Sequence, residues 1–212
     1  MKFYLSSYKF GKGIETLRSM MPPGCRMGHI NNARDYSGAD PLNKRRQQEE
    51  EMEQLAGLGA AVEPLDLKGY FSRPEALKEK LLSLSGIWVS GGNTFVLRQA
   101  MRLSGFDEII KDLARNGSFL YAGYSAGICI LSTSLRSLHI VDDPSDHPYP
   151  GIKETIWEGL GFFDHDLLPH YDSDHPESPA IDKTAKYCID NRILFIALRD
   201  GDYIAIDQER QQ

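Results

Sequence analysis

The chain has 212 residues, a length that is typical of one domain. Hydrophobic residues make up 41% and charged residues 25%, which is the composition of a folded globular protein. The net charge of -6 argues against nucleic-acid binding, for which a basic face is expected. No run approaches the roughly 18 apolar residues that a membrane-spanning helix needs.

The first residues and the cysteines bear on cellular location. The apolar run at the start of the chain is too short for a secretory signal peptide. Its three cysteines, Cys25, Cys129 and Cys188, show no paired spacing, as is usual in a reducing compartment. We therefore predict a cytoplasmic protein, folded as one domain over residues 1–212.

Strand-like and helix-like segments alternate through the first two thirds of the chain. This order predicts βαβ units and a three-layer α/β/α fold with a mainly parallel central sheet. The predicted strands are 2–6, 25–30, 60–67, 86–90, 119–122, 136–141, 162–168, 193–198 and 203–206, the last two paired as a hairpin. The predicted helices are 12–20, 41–58, 73–83, 94–103, 107–115 and 177–189.

The helix predicted over residues 41–58 carries most of the charge in the first half of the chain. Asp40 is a favourable cap and Pro41 a favourable first residue. A run of charged and amide side chains extends from Lys44 to Glu51. We predict that this run is a solvated face.

A Gly-x-Ser-x-Gly motif, Gly123-Tyr124-Ser125-Ala126-Gly127, joins a predicted strand to an apolar segment that can continue as a helix. In this context the serine lies on a tight turn with its hydroxyl exposed, and the next amide faces the same space. Ser125 is thus a candidate nucleophile, and the amide of Ala126 a candidate oxyanion donor. A second donor is expected from the Gly91-Gly92 turn, through the amide of Gly92 or Asn93.

A serine nucleophile needs a base and a group that orients the base. Of the histidines that follow Ser125, His170 is the preferred base because it follows an apolar strand and Pro169. The acid that best fits a strand-end turn is Asp200. The resulting order of serine, histidine and acid differs from the order in α/β-hydrolases.

A metal site is the competing interpretation of the same region. Imidazoles and carboxylates between His165 and His175 could hold zinc, although their spacing fits no zinc signature. A metal-dependent hydrolase therefore stays as an alternative. A further alternative is a non-catalytic protein in which the serine turn is only structural.

Three blocks together resemble the peptidase E family, which includes aspartyl dipeptidases and cyanophycinases. They are Gly91-Gly92-Asn93-Thr94-Phe95, Tyr121 to Gly127, and Pro169-His170-Tyr171-Asp172. The resemblance spans about residues 1 to 206. It implies a fold like that of class I glutamine amidotransferases, with a serine where those enzymes carry cysteine.

The resemblance also implies roles for individual residues. Ser125 is implied as nucleophile, His170 as base, and Gly92 and Ala126 as oxyanion donors. The family's acid lies in a Leu-Pro-Glu-Gly turn, and Asp200 stands at that position in Leu198-Arg199-Asp200-Gly201. Because aspartate is one methylene shorter than glutamate, two alternatives to a direct triad stay open: contact between Asp200 and His170 through a water, and a Ser–His dyad.

The region expected to set substrate preference differs from that of the resembling family. Family members specific for an N-terminal aspartate bind its side chain with an arginine after the histidine block, and residues 173–187 contain no arginine. Lysine does not reproduce the bidentate geometry of arginine. The predicted substrate contacts are Asn93, Tyr124, Tyr171, Asp172 and Lys183.

These observations predict a serine peptidase that hydrolyses short peptides through an acyl-enzyme on Ser125. It would act as a dipeptidase or N-terminal exopeptidase, with Asp-Xaa among the candidate substrates. We predict no cofactor, no metal, and no nucleic-acid or membrane partner. A homodimer is compatible with the sequence.

Overall fold

The computed structural model describes residues 1–115 and 117–207. The strands are β1 (Lys2–Ser6), β2 (Arg26–Ile30), β3 (Ala61–Pro64), β4 (Gly86–Val89), β5 (Leu120–Tyr124), β6 (Asp166–Leu168), β7 (Phe195–Ala197) and β8 (Tyr203–Asp207). The α-helices are α1 (Ile14–Met20), α2 (Pro41–Gly57), α3 (Pro74–Leu82), α4 (Thr94–Ser104), α5 (Phe106–Arg115), α6 (Ala126–Cys129) and α7 (Ser178–Asp190). None of these helices is long and apolar enough to cross a bilayer.

The central sheet has the strand order β3-β2-β4-β5-β1-β8. Its first five strands pair in parallel, and β8 runs antiparallel to β1. β6 and β7 form a separate parallel pair. The predicted α/β fold with a mainly parallel sheet is therefore confirmed.

Neighbouring residues of β1 show how the sheet separates two cores. Phe3 and Leu5 belong to a core shared with α3, α4, α5 and α7, whereas Tyr4 belongs to a core shared with α1 and α2. Successive side chains of a strand point to opposite faces of its sheet. Helices therefore cover both faces, which produces three layers.

One predicted strand and one predicted strand pairing are wrong. Residues 136–141 contain a 3-10 helix, Arg136–Ile140, because short-range hydrogen bonds such as Leu138 N–H to Leu135 O replace a strand ladder. Residues 203–206 do form a strand, but it pairs with β1 instead of returning along β7. The Asp202 carbonyl accepts from the Ser7 amide, so the turn after β7 leads the chain to β1.

The candidate residues meet at one edge of the sheet because they follow parallel strands. Ser7 follows β1, Gly91 and Gly92 follow β4 after Ser90, and Ser125 follows β5. The carboxyl ends of parallel strands lie at the same edge, where open α/β folds bind their ligands. His170 joins them from the turn that follows β6.

Candidate active site

Ser125 occupies a strained turn between β5 and α6. Its φ of 50° and ψ of -121° lie in a region that side-chain-bearing residues rarely adopt. The two motif glycines pass close to β4: a Cβ on Gly123 would lie 2.6 Å from the Val89 carbonyl oxygen, and one on Gly127 would lie 2.2 Å from it. Glycine at both positions is therefore required by the close approach of β4 to β5 and to the start of α6.

His170 and Asp200 form a direct hydrogen-bonded pair. The distance from His170 Nδ1 to Asp200 Oδ1 is 2.7 Å, and His170 is 1% exposed. Burial lowers the pKa of His170, and the hydrogen bond to Asp200 acts in the opposite direction. With Nδ1–H donated to the carboxylate, the other ring nitrogen, Nε2, is left to accept a proton. The shorter acid thus reaches the imidazole without a bridging water.

Ser7 connects His170 and Asp200 to the end of β1. Its Oγ accepts the backbone N–H of His170 at 2.8 Å and lies 2.9 Å from Asp200 Oδ1. The backbone N–H of Asp200 donates to Ser173 Oγ at 2.8 Å. Neither serine is among the residues predicted from the sequence. The position of Ser7 directly after a predicted strand was a signal that could have found it.

The turn after β4 is shaped by contact with the loop after β2. Gly92 has a φ of +142°, and a Cβ there would lie 2.4 Å from the Ala33 carbonyl oxygen. That oxygen accepts the Asn93 N–H at 2.8 Å. The amide of Asn93 therefore already donates to a protein carbonyl. Of the two candidate oxyanion donors in this turn, the amide of Gly92 is the better one. Ala126 is the first residue of α6, so its N–H has no carbonyl acceptor within that helix.

A polar pocket of about 250 Å³ opens over Ser125. Its wall combines the turns after β1, β4, β5 and β6 with the start of α2, and it carries both positive and negative side chains. The lining residues are Tyr8, Lys9, Arg34, Tyr36, Asp40, Asn43, Lys44, Gln47, Gly91, Gly92, Tyr124, Ser125, His170, His175 and Glu177.

A buried carboxylate, Glu51, lies beneath one wall of this pocket. Its Oε1 accepts hydrogen bonds from Arg34 at 2.9 Å and from the Tyr124 hydroxyl at 2.7 Å. Burial by itself would raise the pKa of Glu51, but a hydrogen bond from His29 and the charge of Arg34 outweigh it and hold that pKa well below its ordinary value. The predicted solvated face is thus wrong at Glu51, which is 3% exposed.

Glu51 has a second set of partners in the core. Its Oε2 lies 3.0 Å from His29 Nε2, and it accepts from Trp88 Nε1 at 3.0 Å and from Ser90 Oγ at 2.6 Å. The network links β2, β4 and the turn of Ser125 to α2. No sequence pattern marked Glu51, because one inward glutamate in a charge run looks like its exposed neighbours.

Of the predicted substrate contacts, Tyr124 lines the pocket and four others have different surroundings. Asn93 caps α4 by accepting from the amides of the next turn. Tyr171 packs against the core, Asp172 forms an ion pair with Arg199, and Lys183 is exposed on α7. None of these four is among the residues that line the pocket in the described part of the chain.

The histidine cluster is only partly assembled. His170, His175 and Glu177 have ligand atoms within 4.8 Å of one another, whereas His165 contacts Asp164 instead. The rings of His170 and His175 are stacked, with centroids 3.7 Å apart and an 8° angle between planes. A metal ion bonds a lone pair in the plane of each ring, so two parallel stacked rings do not point at one ion in this arrangement.

Comparison with known proteins places the chain in a family. The sequence model of peptidase family S51 matches residues 43–212. An uncharacterized peptidase of Listeria monocytogenes, Lmo0363, is 34% identical over 122 residues, covering 56% of this chain and 55% of that protein. Peptidase E of Streptomyces coelicolor is 26% identical over 154 residues, covering 69% of this chain and 58% of its own length. The chain thus spans little more than half the length of these relatives.

A solved structure agrees with the fold. A Listeria monocytogenes structure described as a candidate peptidase E protein superposes with a TM-score of 0.77 at 22% identity, covering 99% of this chain and 95% of that one. The family match covers more than half of the chain and includes the serine turn, the histidine and the acid. The chain therefore belongs to peptidase family S51, as its resemblance to peptidase E predicted.

Proposed function

We propose that the protein is a serine peptidase that hydrolyses short peptides through an acyl-enzyme on Ser125. The observation that carries this proposal is that three functional groups lie together at one edge of the sheet. A serine on a strained turn shares a pocket with a buried histidine, and that histidine is hydrogen-bonded to a carboxylate. Membership in peptidase family S51 supports the same chemistry.

In the proposed reaction, Ser125 Oγ attacks the peptide carbonyl while His170 Nε2 takes its proton. Asp200 keeps the imidazole in the required tautomer and stabilises the imidazolium that forms. The amides of Gly92 and Ala126 bind the oxyanion, each contributing roughly 3–4 kcal/mol to the transition state. His170 then returns the proton to the leaving amine, and water releases the acyl group by the reverse sequence.

The dimensions of the pocket favour small substrates. Its volume is about 250 Å³, and side chains of both charges form its wall. A dipeptide or the first residues of a short peptide would fill such a site, which supports a dipeptidase or N-terminal exopeptidase. Asp-Xaa is one candidate substrate among the dipeptides.

The test is hydrolysis of a dipeptide library by the wild-type protein and by Ser125→Ala. We expect the variant to lose at least about 10⁴-fold in kcat, because removing a serine nucleophile removes covalent catalysis. The circular dichroism spectrum and melting temperature should stay close to those of the wild type. Full activity in Ser125→Ala would overturn the proposal.

A chelator separates the proposal from the metal-dependent alternative. Serine chemistry predicts that EDTA leaves hydrolysis unchanged and that a fluorophosphonate labels the wild type but not Ser125→Ala. Loss of activity in EDTA, restored by zinc and retained in Ser125→Ala, would support a metal hydrolase instead.

A further inference from the structure

Glu177 places an acidic group in the pocket that the proposed reaction leaves unused. It directly precedes α7 and lines the same cavity as Ser125 and Gly92. Its Oε2 lies 3.8 Å from His170 Nε2, the nitrogen that would take the serine proton. Glu177 is therefore next to the point where a substrate carbonyl would react.

The surroundings of Glu177 are short of positive charge. Burial, followed by the charges of Asp142 and Asp200, raises the pKa of its carboxyl to about 7. Within residues 1–115 and 117–207, no lysine or arginine lies within ion-pair distance of it. A cation delivered by a ligand would offset both the burial and the repulsion between these acids.

The cations that line the pocket do not meet this need. Arg34 is paired with Glu51, and Lys44 is paired with Asp35. Lys9 also lines the pocket, but its ammonium is not within ion-pair distance of Glu177. Within the described residues, the carboxyl of Glu177 thus has the His170 imidazole beside it but no lysine or arginine.

We propose that Glu177 is a specificity-determining residue that binds a cationic group on the substrate's N-terminal residue, either the α-ammonium or a basic side chain. This inference rests on the proposed peptidase function. In a peptide cleaved after its first residue, the α-ammonium is separated from the reacting carbonyl by a single carbon. A carboxylate that recognises it must therefore border the nucleophile, as Glu177 does.

A competing role is that Glu177 positions His170, since the two side chains are near each other. The two roles differ in their kinetics. Loss of a substrate cation site penalises only substrates that carry the cation and acts chiefly on KM. Loss of a positioning contact lowers kcat for every substrate.

The experiment compares three dipeptides with wild type, Glu177→Gln and Asp174→Asn. Ala-Leu carries only the α-ammonium, acetyl-Lys-Leu carries only the basic side chain, and acetyl-Ala-Leu carries neither. Asp174→Asn is the matched control, because it removes an exposed acid from the same loop, outside the pocket lining.

We expect wild type to prefer at least one cationic dipeptide over acetyl-Ala-Leu by roughly 10- to 100-fold in kcat/KM, the range for a hydrogen bond to a charged group. Glu177→Gln should bring that ratio close to one through a higher KM, and Asp174→Asn should retain it. The preferred dipeptide identifies which cation is bound. An unchanged ratio in Glu177→Gln, or an equal fall in kcat for all three peptides, would overturn the inference.

A binding measurement keeps this result separate from the peptidase proposal. Ser125→Ala and Ser125→Ala/Glu177→Gln are titrated calorimetrically with alanine amide, acetyl-lysine amide and acetyl-alanine amide. We expect tighter binding of a cationic amide only when Glu177 is present. If wild type hydrolyses no dipeptide but this preference is found, the peptidase proposal fails and the cation site stands; if no preference is found, the cation site fails.

Discussion

Two glutamates flank the same pocket, and their surroundings are opposite. Glu51 meets five protein donors, from His29, Arg34, Trp88, Ser90 and Tyr124, and its pKa is held well below the ordinary value.

Glu177 has no lysine or arginine partner among the described residues, and its pKa is raised to about 7. The comparison separates two uses of a carboxylate. Glu51 has its oxygens occupied by protein donors and supports the lining residues Arg34 and Tyr124 from behind, whereas Glu177 faces the pocket and is available to a ligand.

Asp200 is a third carboxylate, and it tests how much catalysis depends on one well-partnered acid. Asp200→Asn keeps the shape of the side chain but favours the wrong tautomer of His170. We expect kcat to fall by about 10³- to 10⁴-fold, measured on the best dipeptide, because the orienting acid of a serine triad contributes on this scale. A fall of less than about tenfold would instead support a Ser–His dyad.

Glu51→Gln tests how much the carboxylate with five protein donors stabilises the fold. The substitution removes the charge that balances Arg34 and disrupts several buried hydrogen bonds. We expect the free energy of unfolding to fall by about 3–5 kcal/mol in urea denaturation, the usual cost of breaking a buried ion pair. Glu177→Gln is the matched control and should change it by less than about 1 kcal/mol. Equal losses in the two variants would contradict the comparison.

The pH dependence of stability should also differ between the two groups. The pKa of Glu51 is lower in the folded protein than in the unfolded chain. Glu51 therefore stabilises the folded state fully at pH values above its ordinary pKa of about 4.5, and this stabilisation is lost as pH falls toward the folded pKa. Unfolding midpoints measured from pH 7 down to pH 3 should therefore fall steeply in wild type. The fall should be shallower in Glu51→Gln.

The smallest effect concerns Glu177 and has the opposite sign. Its folded pKa is raised, so it favours the folded state at low pH and loses that contribution as pH rises from about 4.5 through about 7. Glu177→Gln should reduce the decline of stability over this window. Because Glu177 is 42% exposed, solvent screening keeps the difference small. A steeper decline in the variant would contradict this, because it would show that the surroundings of Glu177 stabilise its ionised form.

Local sequence signals were sufficient for most of the fold. Apolar runs separated by capping and turn residues located the parallel strands and the helices between them. They failed where pairing is decided by distant segments. Residues 203–206 have a strand-like pattern, yet which strand they join depends on the contact of Asp202 with Ser7, nearly two hundred residues earlier.

The sequence by itself determined the motif at Ser125 and the family, and it predicted the contact between His170 and Asp200 that the structure shows. These follow from short residue patterns with strict backbone requirements, such as the glycines that pass beside Val89. Only the tertiary structure decided which charged side chains face inward. Glu51 and Glu177 are both glutamates in polar segments, and the packing around each one sets its partners and its pKa. Burial and neighbouring charge are properties of the folded chain, so no local pattern could distinguish them.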